Sequence, residues 1–330
     1  MSFAAHLLFS LCCLLPAGAL SLQAAGSGER SVEREPARPG ESGLIAFTDD
    51  AGDRVLVPPK PRRIVSLTMF TDEVLLELVG PERLAAVSLF AADPAVSNVS
   101  GRIGSIAHRL DLQPEVILSL RPDLVFVANW SDAAAVRQLR DAGLPVYLTA
   151  TAFTVDQIEA RIRKTALVVG EPAVGERLAS GMNRRLADLE RRLAAVPESR
   201  RLTVLDYSSW GTAMGRGTSW DEVVKRAGLR NAADGLPVDT WGQVPLSKEK
   251  LIELDPDMLV LPGWVYGKPQ GAEEFYRQVT SDPALRGLKA VLSRRVIRMP
   301  ENLRATTSQH IVEAIEFLAR AAYPELRGPS

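Results

Sequence analysis

The 330-residue sequence is short of the side chains that most often do chemistry. Its two cysteines, Cys12 and Cys13, lie in the first 25 residues. Once that segment is removed no thiol remains, which excludes cysteine catalysis and thiolate-held metal. Beyond His6 there are only two histidines, His108 and His310. Transition-metal carriers bring several His and carboxylate ligands together, and two isolated histidines do not, so no metal site is expected. His310, in the last helical stretch, reads as structural, while His108, in a loop of the first half, is left open as a lining residue. There is no excess of either charge: 39 Lys and Arg against 40 Asp and Glu give a formal charge of -1, without the basic bias of a nucleic-acid binder. No G-x-S-x-G elbow, G-x-x-x-x-G-K-[ST] phosphate loop or G-x-G-x-x-G fingerprint occurs.

Long apolar runs are also missing. Leu7 to Leu15 (LLFSLCCLL) is about nine residues, too short to cross a bilayer but of the length of a signal-peptide core. Small residues follow at Ala17-Gly18-Ala19 and Ala24-Ala25, where cleavage would fall. The flank before the core has no Lys or Arg, and Leu11 does not supply the small residue that a lipid-modified Cys12 would need. Residues 1–25 are therefore read as a signal peptide for export, in preference to a buried N-terminal helix. Residues 26–44 are polar and rich in Pro and Gly, a linker unable to bury enough apolar area to order itself.

What the chain does have is an internal echo. Pro114 to Ala128 (PEVILSLRPDLVFVA) and Glu249 to Pro262 (EKLIELDPDMLVLP) each open a helical segment on Glu, reach Pro-Asp seven residues later and continue into an unbroken apolar run. Pro cannot continue a helix and restricts the residue before it, so each copy predicts a short helix, a hard stop and a strand buried on both faces. The copies lie 134 residues apart, beyond the period of a solenoid, and read as equivalent parts of two similar lobes. Around them, short apolar runs alternate with helical patterns from Ile64 to Met299, the signature of βαβ units. A hairpin is expected around Asp50-Ala51-Gly52, and Thr71 as cap of a helix over 72–79. From Val155 to about Val196 the apolar residues recur at helical spacing, broken once at Gly170-Glu171-Pro172. The expected class is α/β: two lobes with mainly parallel sheets, 45–152 and 198–330, joined by a long helical spine over 153–197.

These residues resemble a known family. Pro61-Arg62-Arg63-Ile64-Val65-Ser66-Leu67 with Thr71-Asp72-Glu73 and Leu78-Val79-Gly80 is similar to the opening of the helical-backbone substrate-binding proteins of ABC importers, which carry iron-siderophores, haem and cobalamin. Arg121-Pro122-Asp123-Leu124-Val125, Leu139 to Val146, Gly217-Thr218-Ser219-Trp220, Ala227 to Ala232 and the Glu249 segment extend the match in order, from Thr48 to about Tyr323. The resemblance implies a bulky ligand in a cleft between the lobes, no resident cofactor, a monomer, and an inner-membrane ABC permease as partner. It also implies that Glu115 and Glu249, one per lobe, face arginines of that permease. A first-turn carboxylate is favoured by the helix dipole and suits bidentate Arg pairing; the same dipole makes Glu a good first-turn residue with no partner at all.

Ligands of open α/β sheets bind beyond the carboxyl ends of the strands. Those positions are Thr68-Met69-Phe70, Ser88-Leu89-Phe90, Asn129-Trp130, Tyr207 to Trp210, Trp264 with Tyr266, and Glu301 to Arg304, joined by Trp241 before the Glu249 segment. The expected ligand-binding residues are thus Met69, Phe70, Phe90, Trp130, Tyr207, Trp210, Trp241, Trp264, Tyr266 and Arg304. Aromatic walls suit a flat or bulky organic ligand, although each also suits ordinary packing. Trp220, on a helix, is assigned to the core. Arg304 has two destinations, an anionic group of the ligand or pairing with Glu301. Two other readings use the same α/β scaffold: an exported hydrolase, for which Asp123 and Asp257 would be candidate carboxylates were they not better explained as turn residues, and a sensor docking a receptor.

Overall fold

The computed structural model describes residues 43–326. The expected signal segment and all of the linker except Gly43 and Leu44 lie outside the described residues. Among the described residues no helix is long and apolar enough to cross a membrane. The chain divides into two compact units.

The first unit holds the described residues up to Ala92, together with Gly101–Thr151 and Arg163–Gly175. It opens on the expected hairpin, β1 (Ile45–Thr48) and β2 (Arg54–Val57), in register from Ile45 opposite Val57 to Thr48 opposite Arg54. Then come β3 (Ile64–Ser66), α1 (Met69–Leu78), β4 (Leu84–Ser88), β5 (His108–Leu110), α2 (Pro114–Ser119), β6 (Leu124–Ala128), α3 (Ala133–Asp141) and β7 (Val146–Thr149). The five later strands make one parallel sheet in the order β5-β4-β3-β6-β7. The chain leaves it through α4 (Val155–Val168) and α5 (Pro172–Leu193), broken where expected. The break needs Gly170: at φ 76° a Cβ would meet the Pro59 carbonyl oxygen at 2.2 Å. Arg83 secures the same corner, donating to the Val169 carbonyl at 2.6 Å and to Glu171 at 2.9 Å.

The second unit takes Asp93–Ser100, Ala152–Ile162 and everything described from Glu176 on, so each of α4 and α5 carries the chain from one unit to the other. Its elements are β8 (Thr203–Asp206), β9 (Thr212–Met214), α6 (Ser219–Arg226), β10 (Arg230–Asn231), β11 (Gln243–Pro245), α7 (Lys248–Leu254), β12 (Met258–Pro262), α8 (Gly271–Ser281), α9 (Lys289–Leu292), β13 (Val296–Met299), α10 (Glu301–Arg304) and α11 (Ile311–Ala322). A four-stranded parallel sheet runs β10-β8-β12-β13, and β9 pairs antiparallel with β11.

The echo in the sequence is an echo in structure. β6 and β12 are interior strands with all five residues buried, as their non-alternating composition requires. The residue before each proline, Arg121 or Asp255, sits in the left-handed region at φ 46° or 38°, which ends the preceding helix. Each Pro-Asp aspartate then ties down the start of a neighbouring strand. Asp123 accepts from the backbone N–H of Arg62 and Arg63 at 2.6 and 2.9 Å, ahead of β3. Asp257 accepts from the N–H and hydroxyl of Thr203 at 2.8 and 2.9 Å, at the start of β8. Both carboxylates are thus engaged as turn residues at strand starts.

Candidate functional site

In the first unit the carboxyl ends of β3 and β4 are locked by a buried polar network. The cap of α1 is Thr68 rather than Thr71: its hydroxyl accepts from the Thr71 N–H at 3.0 Å, because the helix starts three residues earlier than the pattern indicated. Thr71 hydrogen-bonds through its own hydroxyl to Ser66 at 2.7 Å and Thr68 at 2.8 Å. Beneath them Asp72, fully buried, accepts from Ser88, from Oγ at 2.5 Å and from the N–H at 3.2 Å. Burial pushes its carboxyl up to about 7; the hydrogen bonds from Ser66 and Ser88 pull it back in part. Above this base Met69, Phe90 and Trp130 are half-buried, Leu89 is exposed, and Phe70 is turned into the core.

In the second unit the loop after β8 turns tightly on Ser208, whose Oγ accepts from the N–H of Trp210 and Thr212 at 3.3 and 3.2 Å. The turn presents Trp210 with 53% of its surface exposed. Tyr207 faces the other way, buried against Phe275 with ring centroids 5.6 Å apart. After β12, Trp264 and Tyr266 meet edge to face at 5.8 Å. Gly263 lets that loop pass β13, since a Cβ there would lie 2.5 Å from the Met299 carbonyl oxygen. Trp241 sits half-buried in a turn held by Asp239, which accepts from the N–H of Trp241 and Gln243, each at 2.8 Å. The β9–β11 register sets Thr212 opposite Pro245 and Met214 opposite Gln243. Trp210 and Trp241 therefore flank opposite ends of that small sheet, on the order of 10 Å apart along the strands.

Arg304 takes the second of its two destinations. Its guanidinium is forked onto Asp206, the last residue of β8, and also donates to Glu301 Oε1 at 2.7 Å. All three side chains are buried. Burial raises the Glu301 carboxyl against the pull of Arg304, and its second oxygen is enclosed without a hydrogen-bond partner among the described residues. With Arg304 spent internally, the carboxyl-edge stretches 68–70, 88–90, 129–130, 207–210, 263–266 and 301–304 offer aromatic and neutral polar groups, for Arg304 is their only basic residue.

The remaining expectations are placed as follows. Trp220 is 2% exposed and in the core. His310 precedes α11 and bonds Glu313 at 3.0 Å, a structural position. His108 opens β5, paired with Ala86 in the middle of β4, and is exposed. Among the described residues no cluster of three His, Cys, Asp or Glu side chains could hold a metal. Glu115 and Glu249 are both exposed in the first turns of α2 and α7. Glu115 accepts from Gln138 at 3.2 Å. Glu249 is held below the usual carboxylate range, by its own backbone N–H and by the Ser247 hydroxyl. The loop after β7 adds a further exposed aromatic, Phe153, 41% exposed. The carboxyl-end rule applied to β7 finds it.

Residues 64–303 match the family model for periplasmic binding protein. The chain is similar to the uncharacterized ABC transporter substrate-binding lipoprotein YvrC of Bacillus subtilis, 23% identical over 311 residues, 91% of this chain and 93% of that protein. A cobalamin-binding protein of Halobacterium salinarum is 26% identical over 221 residues, 66% of this chain and 58% of its own length. Among solved structures, the periplasmic haem-binding protein RhuT from Roseiflexus sp. RS-1, in apo form, superposes with a TM-score of 0.66 at 26% identity, covering 81% of this chain and 99% of that one.

Proposed function

Because the chain belongs to the periplasmic binding protein family, we propose that it is the ligand-capturing component of an ABC importer and that its cargo is a corrinoid. The observation that carries the choice of cargo is the Asp206–Arg304–Glu301 cluster. Haem presents propionates and many iron-siderophores carry net negative charge, and both call for an exposed cation. The stretches at the strand ends supply Met69, Phe90, Trp130, Trp210, Trp264 and Tyr266, with Arg304 buried and a single exposed lysine, Lys268, further along the loop after β12, fewer cations than two propionates call for. A corrinoid, with a broad face and a rim of neutral carboxamides, matches aromatic walls and neutral polar groups. Similarity to a cobalamin-binding relative supports the same choice. Trp241 stands apart at the far end of its small sheet and is given a lesser part; Phe70, Tyr207 and Arg304 hold the loops from behind.

The protein acts as a monomer on the periplasmic side after export by its signal peptide. It binds without turning its ligand over and meets the permease through Glu115 and Glu249. Titrating the purified protein with cyanocobalamin, haemin and a ferric siderophore, followed by tryptophan fluorescence, tests the assignment. Saturable one-to-one quenching is expected with cyanocobalamin at the lowest concentration. Tighter binding of haemin or of the siderophore would overturn it, as would the absence of binding.

A further inference from the structure

The second unit has a concave site at the other edge of its sheet. Ahead of the amino ends of β8, β10, β12 and β13 lies an open depression of about 370 Å³, within the ~300–1,000 Å³ typical of small-molecule sites. Four guanidinium-bearing residues line it, from three stretches distant in sequence: Arg200 and Arg201 before β8, Arg230 at the start of β10, and Arg295 before β13. In a chain whose charges nearly cancel, this is a local excess of one sign.

The acids in the depression do not neutralise it. Asp257 is committed to Thr203, and Glu325 reaches only Arg200, at 3.5 Å, where both side chains are more than half exposed; such a pair is weak. Arg201 pairs with Glu198 at 3.0 Å. Arg230 donates to the Arg201 carbonyl at 2.7 Å, and neither Arg230 nor Arg295 has a carboxylate within ion-pair distance among the described residues. The backbone of Arg295 is fixed on both sides, its N–H on the Ala290 carbonyl at 2.7 Å and its carbonyl on the Leu259 N–H at 3.0 Å. Tyr323 forms the floor, accepting from the Leu202 N–H at 3.4 Å and donating to the Gly228 carbonyl at 2.9 Å. Burial raises its hydroxyl, and the nearby charges of Arg201 and Arg230 partly offset that.

We propose that this depression binds a phosphate-bearing anion through Arg230 and Arg295, as a site separate from the carboxyl-edge loops. Guanidinium forks match phosphate oxygens two at a time, and two of the four forks have no acid of their own. The ligand is a free phosphate ester or pyrophosphate, or the phosphate of a lipid headgroup; the chemistry is shared.

Calorimetric titration of the purified protein with pyrophosphate, and co-sedimentation with phosphatidylglycerol against phosphatidylcholine vesicles, separate the sources. The control is Arg230→Gln with Arg295→Gln, which gives up the Arg230 bond to the Arg201 carbonyl and should therefore lower thermal stability slightly, while cyanocobalamin binding stays as it was. Saturable pyrophosphate binding that weakens with salt and falls about tenfold or more in the double variant identifies a soluble anion. Sedimentation with phosphatidylglycerol alone, lost in the same variant, identifies a headgroup, and both responses together identify a site open to either. Binding of neither probe, or equal binding by wild type and variant, overturns the proposal.

Discussion

Arg304 and Asp206 form a bidentate ion pair, Nε to Oδ1 at 2.7 Å and Nη2 to Oδ2 at 2.9 Å, with side chains only 3% and 1% exposed. The pair joins the end of β8 to the helix after β13, so it braces two loops that the proposed ligand would touch. Removing one partner of such a pair leaves a buried charge uncompensated, at a cost of about 3–5 kcal/mol. Arg304→Met should lower the unfolding free energy by that amount in urea denaturation, while the folded fraction keeps its ligand affinity. A variant of unchanged stability but reduced affinity would return Arg304 to the ligand.

The same residue marks how far the sequence could be read. The carboxyl-end rule placed Arg304 at the right edge of the sheet, because strand ends follow from apolar runs and breakers. Its partner Asp206 is the last residue of a strand nearly 100 positions away, and no local pattern signals that pairing. The helix–stop–strand units were legible because Pro imposes its restriction locally. By contrast β5, β9, β10 and β11 are two or three residues long and carry no period to detect. Side-chain direction in loops was least legible. Tyr207 and Trp210 stand three residues apart on one loop, yet one is buried and the other exposed, a difference set by the Ser208 turn.

That contrast predicts two opposite phenotypes. Trp210→Ala should weaken cyanocobalamin binding and change stability by no more than about 0.5 kcal/mol, as exposed positions generally do. Tyr207→Ala removes a ring packed on Phe275 and should cost about 3 kcal/mol or more. Paired urea melts and ligand titrations of both variants decide the matter, and equal stability loss in the two would contradict the assigned directions.

Asp72 gives the first unit a pH dependence. Its folded value of about 7 lies above the ordinary 3.8, so folding takes up a proton in the window between. Its contribution to stability is therefore complete below about 4 and is lost as pH rises through 7, by at most about 4 kcal/mol. Asp72→Asn cannot ionise and should flatten the wild-type slope between pH 4 and 7. Urea midpoints at closely spaced pH values test this; an identical slope in the variant would remove Asp72 as its source.

Glu115 and Glu249 supply the last prediction. Each is exposed in the first turn of the helix that leads to a Pro-Asp stop, one in each unit. Neither has a cation within ion-pair distance among the described residues, although ion pairs are common elsewhere on the surface. A carboxylate left this way is available to an arginine on a partner, where a desolvated charge pair is worth more than a solvent-exposed one. Glu115→Arg with Glu249→Arg should therefore abolish ligand uptake by cells carrying the cognate permease, each single change giving a partial loss. Ligand affinity of the purified double variant should match wild type, and its stability should fall by only about 1 kcal/mol per site, the cost of placing a cation where the helix dipole favours an anion. Full uptake by the double variant would return both residues to the simpler role of favourable charges at a helix start.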